Sequence, residues 1–334
     1  MPLTVSQLSE SALLERIVPR LRGTPGNPTG VLLGPGDDAA IVAAPDGRML
    51  ISIDTQVQDM DFRLQWANGY RTTGFDVGWK AAAQNLSDIN AMGGRATSLV
   101  VSLTLPASTD VAWVEDLAEG LTAAIHELGA STCAVVGGDL GRGTELSVTA
   151  AVTGSLDGRP PVVRSGAQPG DAVVLAGTVG RAAAGLALLE SAHGYAALEE
   201  ELREFVRAQC RPRPPLAFGP AAAEAGATSM LDVSDGLVRD ARRIATASSV
   251  RIDLDPAALR SLGEPLRGAA ELLGKDPLEW VLGGGEDHGL LATVNPNVMP
   301  LAGFTAVGSV EAGPAEVTVG SQSPATVGWD HFAD

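Results

Sequence analysis

DVGWKAAAQNLSDINAMGG, Asp76 to Gly94, predicts a helix closed by two glycines. Glycine accepts the left-handed backbone that ends a helix, so Gly93-Gly94 serves as the cap. Working outward, Leu50 to Asp54 reads as a strand ending at an acid, and Ser98 to Leu105 as a strand ended by Pro106. Ser6 to Leu21 carries Leu14, Ile17, Val18 and Leu21 at helical spacing. Thr109 or Asp110 can cap a helix through Leu128, and Thr132 to Val136 and Glu145 to Thr153 follow as strands. Gly154 to Gly170, rich in Gly, Pro and polar residues, reads as a connection between domains.

Beyond it a second set begins. Asp171 to Ala176, Thr228 to Val233, Val250 to Leu254, Gly289 to Val294 and Thr305 to Val310 read as strands. Arg181 to Glu190, Leu198 to Ala208 and Gly236 to Ala247 read as helices. Neither half shows the sustained strand–helix alternation of a doubly wound sheet. The class is α+β with two domains, 1–155 and 156–334, a division that suits a chain of 334 residues.

Composition narrows the function. Hydrophobic residues make up 45% and charged residues 19%, ordinary for a folded globular chain. The formal net charge is −17 with no run of Lys or Arg, which disfavours nucleic acid and anionic lipid as partners. No stretch reaches the roughly 18 apolar residues of a membrane span. The first 22 residues lack the layout of a signal peptide, so the expected compartment is the cytoplasm. Cys133 and Cys210 stand far apart without metal-binding spacing and read as free buried thiols.

Acids recur beside glycine where apolar strands end: Gly36-Asp37-Asp38, Ser52-Ile53-Asp54, Gly137-Gly138-Asp139 and Asp232-Val233-Ser234-Asp235-Gly236. A further acid, Asp88, shares one predicted helix face with Lys80 and Gln84. Any one of these could be a plain turn. Were they to converge, two carboxylates about 5 Å apart would repel by roughly 3 kcal/mol at an effective dielectric near 20. Cations must answer that repulsion, and Mg²⁺ shared with phosphate oxygens suits both charge and ligand chemistry. Glycine without Cβ lets backbone N–H groups approach a phosphate, a use that Gly137-Gly138 fits. No Walker A sequence exists, since Gly-Lys occurs only at Gly274-Lys275. Lys80 reads as a phosphate contact or a surface salt bridge, and Trp66, Trp79, Trp113 and Trp280 as packing residues.

Together the motifs resemble the thiamine-monophosphate kinase family, of the aminoimidazole ribonucleotide synthetase-like superfamily. The matching pieces are GPGDDAA (34–40), SIDTQV (52–57), WKAAAQNLSDINAMG (79–93), VGGDLGRG (136–143), VRSGAQPGD (163–171), LDVSDGL (231–237), GGGED (283–287) and GWDHF (328–332). The resemblance implies Mg²⁺-assisted transfer of the γ-phosphoryl of ATP to thiamine monophosphate. It implies a mixed N-terminal sheet forming a barrel-like homodimer interface, with ATP and Mg²⁺ bound by residues 1–155. It further implies a C-terminal α/β domain completing the substrate site. By resemblance Asp38, Ser52, Asp54, Asp88, Asp139, Asp232 and Asp235 form the magnesium set. Gly138, Asp139, Arg164 and Ser234 contact ATP, and Asp54, Asp139 and Arg164 carry catalysis. Glu286 and Trp329 meet the thiamine end. Asp61 occupies the substrate-phosphate position where the family has His, and His288 stands where Tyr is frequent. The alternative is another ATP-dependent enzyme of that superfamily, such as a selenophosphate or aminoimidazole ribonucleotide synthetase.

Overall fold

The computed structural model describes residues 3–21, 30–33, 41–324, 326 and 328–329, with the side chains of residues 10, 11 and 33 excepted. The chain divides into two compact units. One comprises residues 1–66, 70–89 and 94–158, the other 67–69, 90–93 and 159–334.

In the first unit, α1 (Glu10–Leu21) precedes the short strands β1 (Val31–Leu33) and β2 (Ile41–Val42), which pair antiparallel. Then come β3 (Leu50–Val57), α2 (Gly74–Ala91), β4 (Arg95–Leu105), α3 (Val111–Glu127), β5 (Ala134–Arg142) and β6 (Ser147–Ser155). The four long strands form one sheet in the order β3-β6-β4-β5. Period-two patterning sets its faces. Leu99, Val101, Leu103, Val148, Ala150 and Val152 are buried. On the opposite face Ile51, Ile53 and Val100 are 71%, 64% and 41% exposed.

Helix α2 ends as expected, with Gly93 at φ 77° just past it. A different outcome holds for Gly137-Gly138-Asp139, which the sequence placed beyond a strand and which lie inside β5. Ladder pairing with β4 overrides the weak strand propensity of glycine.

The second unit holds a six-stranded sheet in the order β12-β9-β11-β7-β10-β8. Its elements in chain order are β7 (Ala172–Ala176), α4 (Arg181–Glu190), α5 (Glu200–Cys210), α6 (Phe218–Glu224), β8 (Ser229–Val233), α7 (Leu237–Ser248) and β9 (Arg251–Leu254). They continue with α8 (Pro256–Gly263), α9 (Arg267–Leu273), α10 (Pro277–Gly283), β10 (Gly289–Val294), β11 (Phe304–Glu311) and β12 (Glu316–Val319). All pairings are antiparallel except β12 with β9. Every residue of β8 and β10 is buried, including Ser229 and Thr293, whose hydroxyls pair across the two strands at 2.7 Å. The one carboxylate in those two strands is Asp232.

Candidate active site

In the first unit one face of α2 meets β3 and the turn after it along a polar seam. Ser52, Asp54 and Gln56 alternate along β3 and point inward, between the exposed Ile51, Ile53 and Thr55. The Ser52 hydroxyl donates to Asp88 Oδ2 at 2.5 Å, and Gln56 Nε2 donates to Gln84 Oε1 at 2.6 Å. Lys80 Nζ lies 3.5 Å from the carbonyl oxygen of Asp61. Lys80, Gln84 and Asp88 thus occupy one helix face, as their spacing predicts. Lys80 is buried, so it does not lie on the helix surface as the salt-bridge reading expected. The Asp61 carboxylate is engaged by its own turn, accepting from the Val57 N–H at 2.7 Å.

Asp139 lies elsewhere on the same sheet. Its ladder partner is Ser102, and both are exposed. Asp54 sits on β3, three strand positions away, roughly 14 Å across the sheet at ordinary strand spacing. One ion with oxygen ligands at about 2.1 Å cannot bridge that gap. Gly138 has a local reason to be glycine, because a Cβ there would lie 2.2 Å from the Val101 carbonyl oxygen.

The second unit knits three separated motifs together through backbone hydrogen bonds. The Glu286 N–H donates to Ser234 O at 2.8 Å, the His288 N–H to Val233 O at 3.1 Å, and the Trp329 N–H to Asp235 O at 2.8 Å. Gly285 makes this approach possible, since a Cβ would stand 2.3 Å from Ser234 O. LDVSDGL, GGGED and the terminal Gly328-Trp329 therefore form one cluster. Glu286 and His288 both hold left-handed backbone, at φ 67° and 53°, a conformation uncommon for non-glycine residues. Trp329 is 61% exposed.

Side chains within the motifs and around them hold the cluster in place, and of these the sequence did not single out Gln209, Asp240 or Arg243. Asp287 is buried and receives Thr178 Oγ1 at 2.8 Å, Arg181 N at 3.2 Å and Ala182 N at 3.0 Å, which anchors the loop on the N-terminus of α4. Burial raises its pKa against those three hydrogen bonds. Gln209 of α5 donates to Glu286 Oε2. Asp232 Oδ2 meets His288 Nδ1 at 3.0 Å. Asp235 pairs with Arg243, which also pairs with the fully buried Asp240. The Asp235 charge is therefore answered in part by a guanidinium of its own unit. Arg164 is exposed, with its carbonyl held by the Ser248 hydroxyl at 3.1 Å. Asp38, with the GPGDDAA motif, lies outside the described residues.

Among the described residues no group of three or more His, Cys, Asp or Glu side chains is placed to hold a metal ion. The donor chemistry along β3 still suits Mg²⁺. Ser52, Asp54 and Asp88 offer hard oxygens, and the nearby Gln56 Oε1 is buried with no hydrogen-bond partner among the described residues. Both cysteines are buried, and burial pushes the Cys133 thiol up to about 12, which makes Cys133 a poor nucleophile.

Comparison with known proteins agrees with this layout. Residues 36–156 match the N-terminal domain of AIR synthase related proteins, and residues 168–311 match their C-terminal domain. The thiamine-monophosphate kinase of Mycobacterium tuberculosis is 46% identical over 333 residues, covering 99% of this chain and 94% of the relative. The thiamine-monophosphate kinase structure from Stenotrophomonas maltophilia superimposes with a TM-score of 0.79 at 30% identity, over 95% of this chain and 98% of that one. AaThiL complexed with AMPPCP and TMP superimposes with a TM-score of 0.75 at 29% identity, over 99% of both chains. In class, both halves are those of an AIR synthase related protein. The chain belongs to the thiamine-monophosphate kinase family.

Proposed function

We propose that the chain transfers the γ-phosphoryl group of ATP to the phosphate of thiamine monophosphate, giving thiamine diphosphate and ADP. The observation that carries this reading is the full-length match to a relative solved with AMPPCP and TMP. The cluster of Ser234, Glu286 and Trp329 supports it, since those residues come from motifs that resemble the family's nucleotide and thiamine contacts.

A phosphate acceptor is already ionised, so the reaction needs alignment and charge neutralisation more than a strong base. In this reading Asp54, Asp139 and Arg164 are the catalytic groups. The exposed Arg164 guanidinium can fork onto two phosphate oxygens of ATP. Gly138, Asp139 and Ser234 complete the nucleotide contacts. Glu286 accepts from the aminopyrimidine, and the Trp329 face receives the cationic thiazolium. Asp61, an anion already bonded in its turn, meets the substrate phosphate only through a cation.

Mg²⁺ would be held by Ser52, Asp54 and Asp88, with Asp38, Asp139, Asp232 and Asp235 as further members of the set. When bound it neutralises phosphate oxygens as a Lewis acid. Since β3 and β5 are three strand positions apart, Asp54 and Asp139 of one copy would hold different ions. We assign residues 1–155 to ATP, Mg²⁺ and dimerisation, and 156–334 to the substrate end.

The exposed Ile51, Ile53 and Val100 support a homodimer built on that sheet face in a barrel-like arrangement. The free buried thiols suit the cytoplasm. ADP release by the purified protein tests the activity: it should require both thiamine monophosphate and Mg²⁺. Release independent of thiamine monophosphate would contradict the assignment.

A further inference from the structure

Gln209 sits on α5 where an apolar residue is expected. The buried side chains of that helix are Phe205, Val206, Gln209 and Cys210, one stripe at helical spacing. Gln209 is only 4% exposed. An amide there costs stability unless its hydrogen bonds are met, and an aliphatic side chain would carry no such cost. Its Nε2 donates to Glu286 Oε2.

Glu286 is already fixed at the backbone. Its N–H is bonded to Ser234 O at 2.8 Å, its φ is 67°, and the next residue is tied to the start of α4 through the Asp287 carboxylate. Gln209 holds one oxygen of the Glu286 carboxylate from a different element.

We infer that Gln209 is a positioning residue: it aims the Glu286 carboxylate at the hydrogen-bond donors of the cationic heterocycle, and so sets affinity for the phosphate acceptor without affecting ATP. The inference rests on the proposed role of Glu286 in binding thiamine monophosphate. It goes beyond that reading by placing substrate selectivity partly in α5, on a residue that need not touch the ligand. Orienting a ligand-binding group in advance lowers the ordering cost of binding.

Kinetics of Gln209→Leu, Glu286→Ala and the double variant provide the test, with the melting temperature of each measured alongside. Leucine suits the apolar stripe, so Gln209→Leu should fold and melt at or above the wild-type temperature. Its KM for thiamine monophosphate should rise about tenfold, with kcat and the KM for ATP within twofold of wild type. On the Glu286→Ala background, Gln209→Leu should add no further rise, because the two residues act as one unit. Gln209→His, which keeps a donor, should recover part of the loss. An unchanged KM in Gln209→Leu overturns the inference and leaves the kinase reading standing, as does an equal loss on both backgrounds. A wild-type protein that does not turn over thiamine monophosphate overturns the reading and this inference with it.

Discussion

His288 Nδ1 lies 3.0 Å from Asp232 Oδ2, with both side chains buried at the junction of β8 and β10. The buried carboxylate of β8 is met there by a ring nitrogen. His288→Phe removes that partner while filling a similar volume, and should destabilise the fold by about 2 kcal/mol. Urea denaturation measures the loss. Asp232→Asn on the same background should recover part of it, because an amide costs less to bury than a carboxylate that has lost this bond.

Asp240 provides a pH signature. Burial raises its pKa to about 7, above the opposing Asp235 N–H bond and the Arg243 charge. The folded state then holds a proton that the unfolded chain, titrating near 3.8, releases earlier. Stability from this group is therefore fully present at low pH and declines as pH rises from about 4 through 7. Asp240→Asn should lack that component, so its stability relative to wild type should improve steadily across the window. Chemical denaturation at several pH values reads the difference.

Substitution on the exposed sheet face tests the dimer. Ile51→Asp and Ile53→Asp place charge where no core depends on the side chain. Sedimentation should show wild type as a dimer and the double variant as a folded monomer. A monomeric wild type would remove the oligomer from the account.

The polar seam on β3 should set the metal requirement. Ser52→Ala removes a hydroxyl that donates to Asp88, and should raise the Mg²⁺ concentration for half-maximal rate by roughly tenfold to a hundredfold, the range seen for groups that support metal ligands. Chelation by EDTA should abolish turnover, and added Mg²⁺ should restore it.

Much of this was legible in the sequence where a strong local signal existed. The face Lys80, Gln84 and Asp88 followed from helical spacing, and Gly93 marked the end of α2. Spacing gives a face but not what covers it, so Lys80 read as a phosphate contact or a surface salt bridge, while in the fold it is buried with its Nζ 3.5 Å from the Asp61 carbonyl. Gly137-Gly138-Asp139 misled because glycine is read as a breaker, while the ladder with β4 decides its state. The short elements β1, β2, α8, α9 and β12 carry too few residues for a period to show. Gln209 had a signal, a lone amide in an apolar stripe, but its partner lies 77 residues away and only folding reveals it. LDVSDGL, GGGED and Trp329 stand out singly in the sequence, while the backbone ties that join them are tertiary.

Transfer itself is measured most directly with ATP labelled in the γ-phosphate. Incubation with thiamine monophosphate and Mg²⁺ should place the label on the terminal phosphate of thiamine diphosphate. Asp54→Asn, folded to the same melting temperature, should lose at least about a hundredfold of that rate. Label appearing only as inorganic phosphate, or an undiminished rate in Asp54→Asn, would contradict the account.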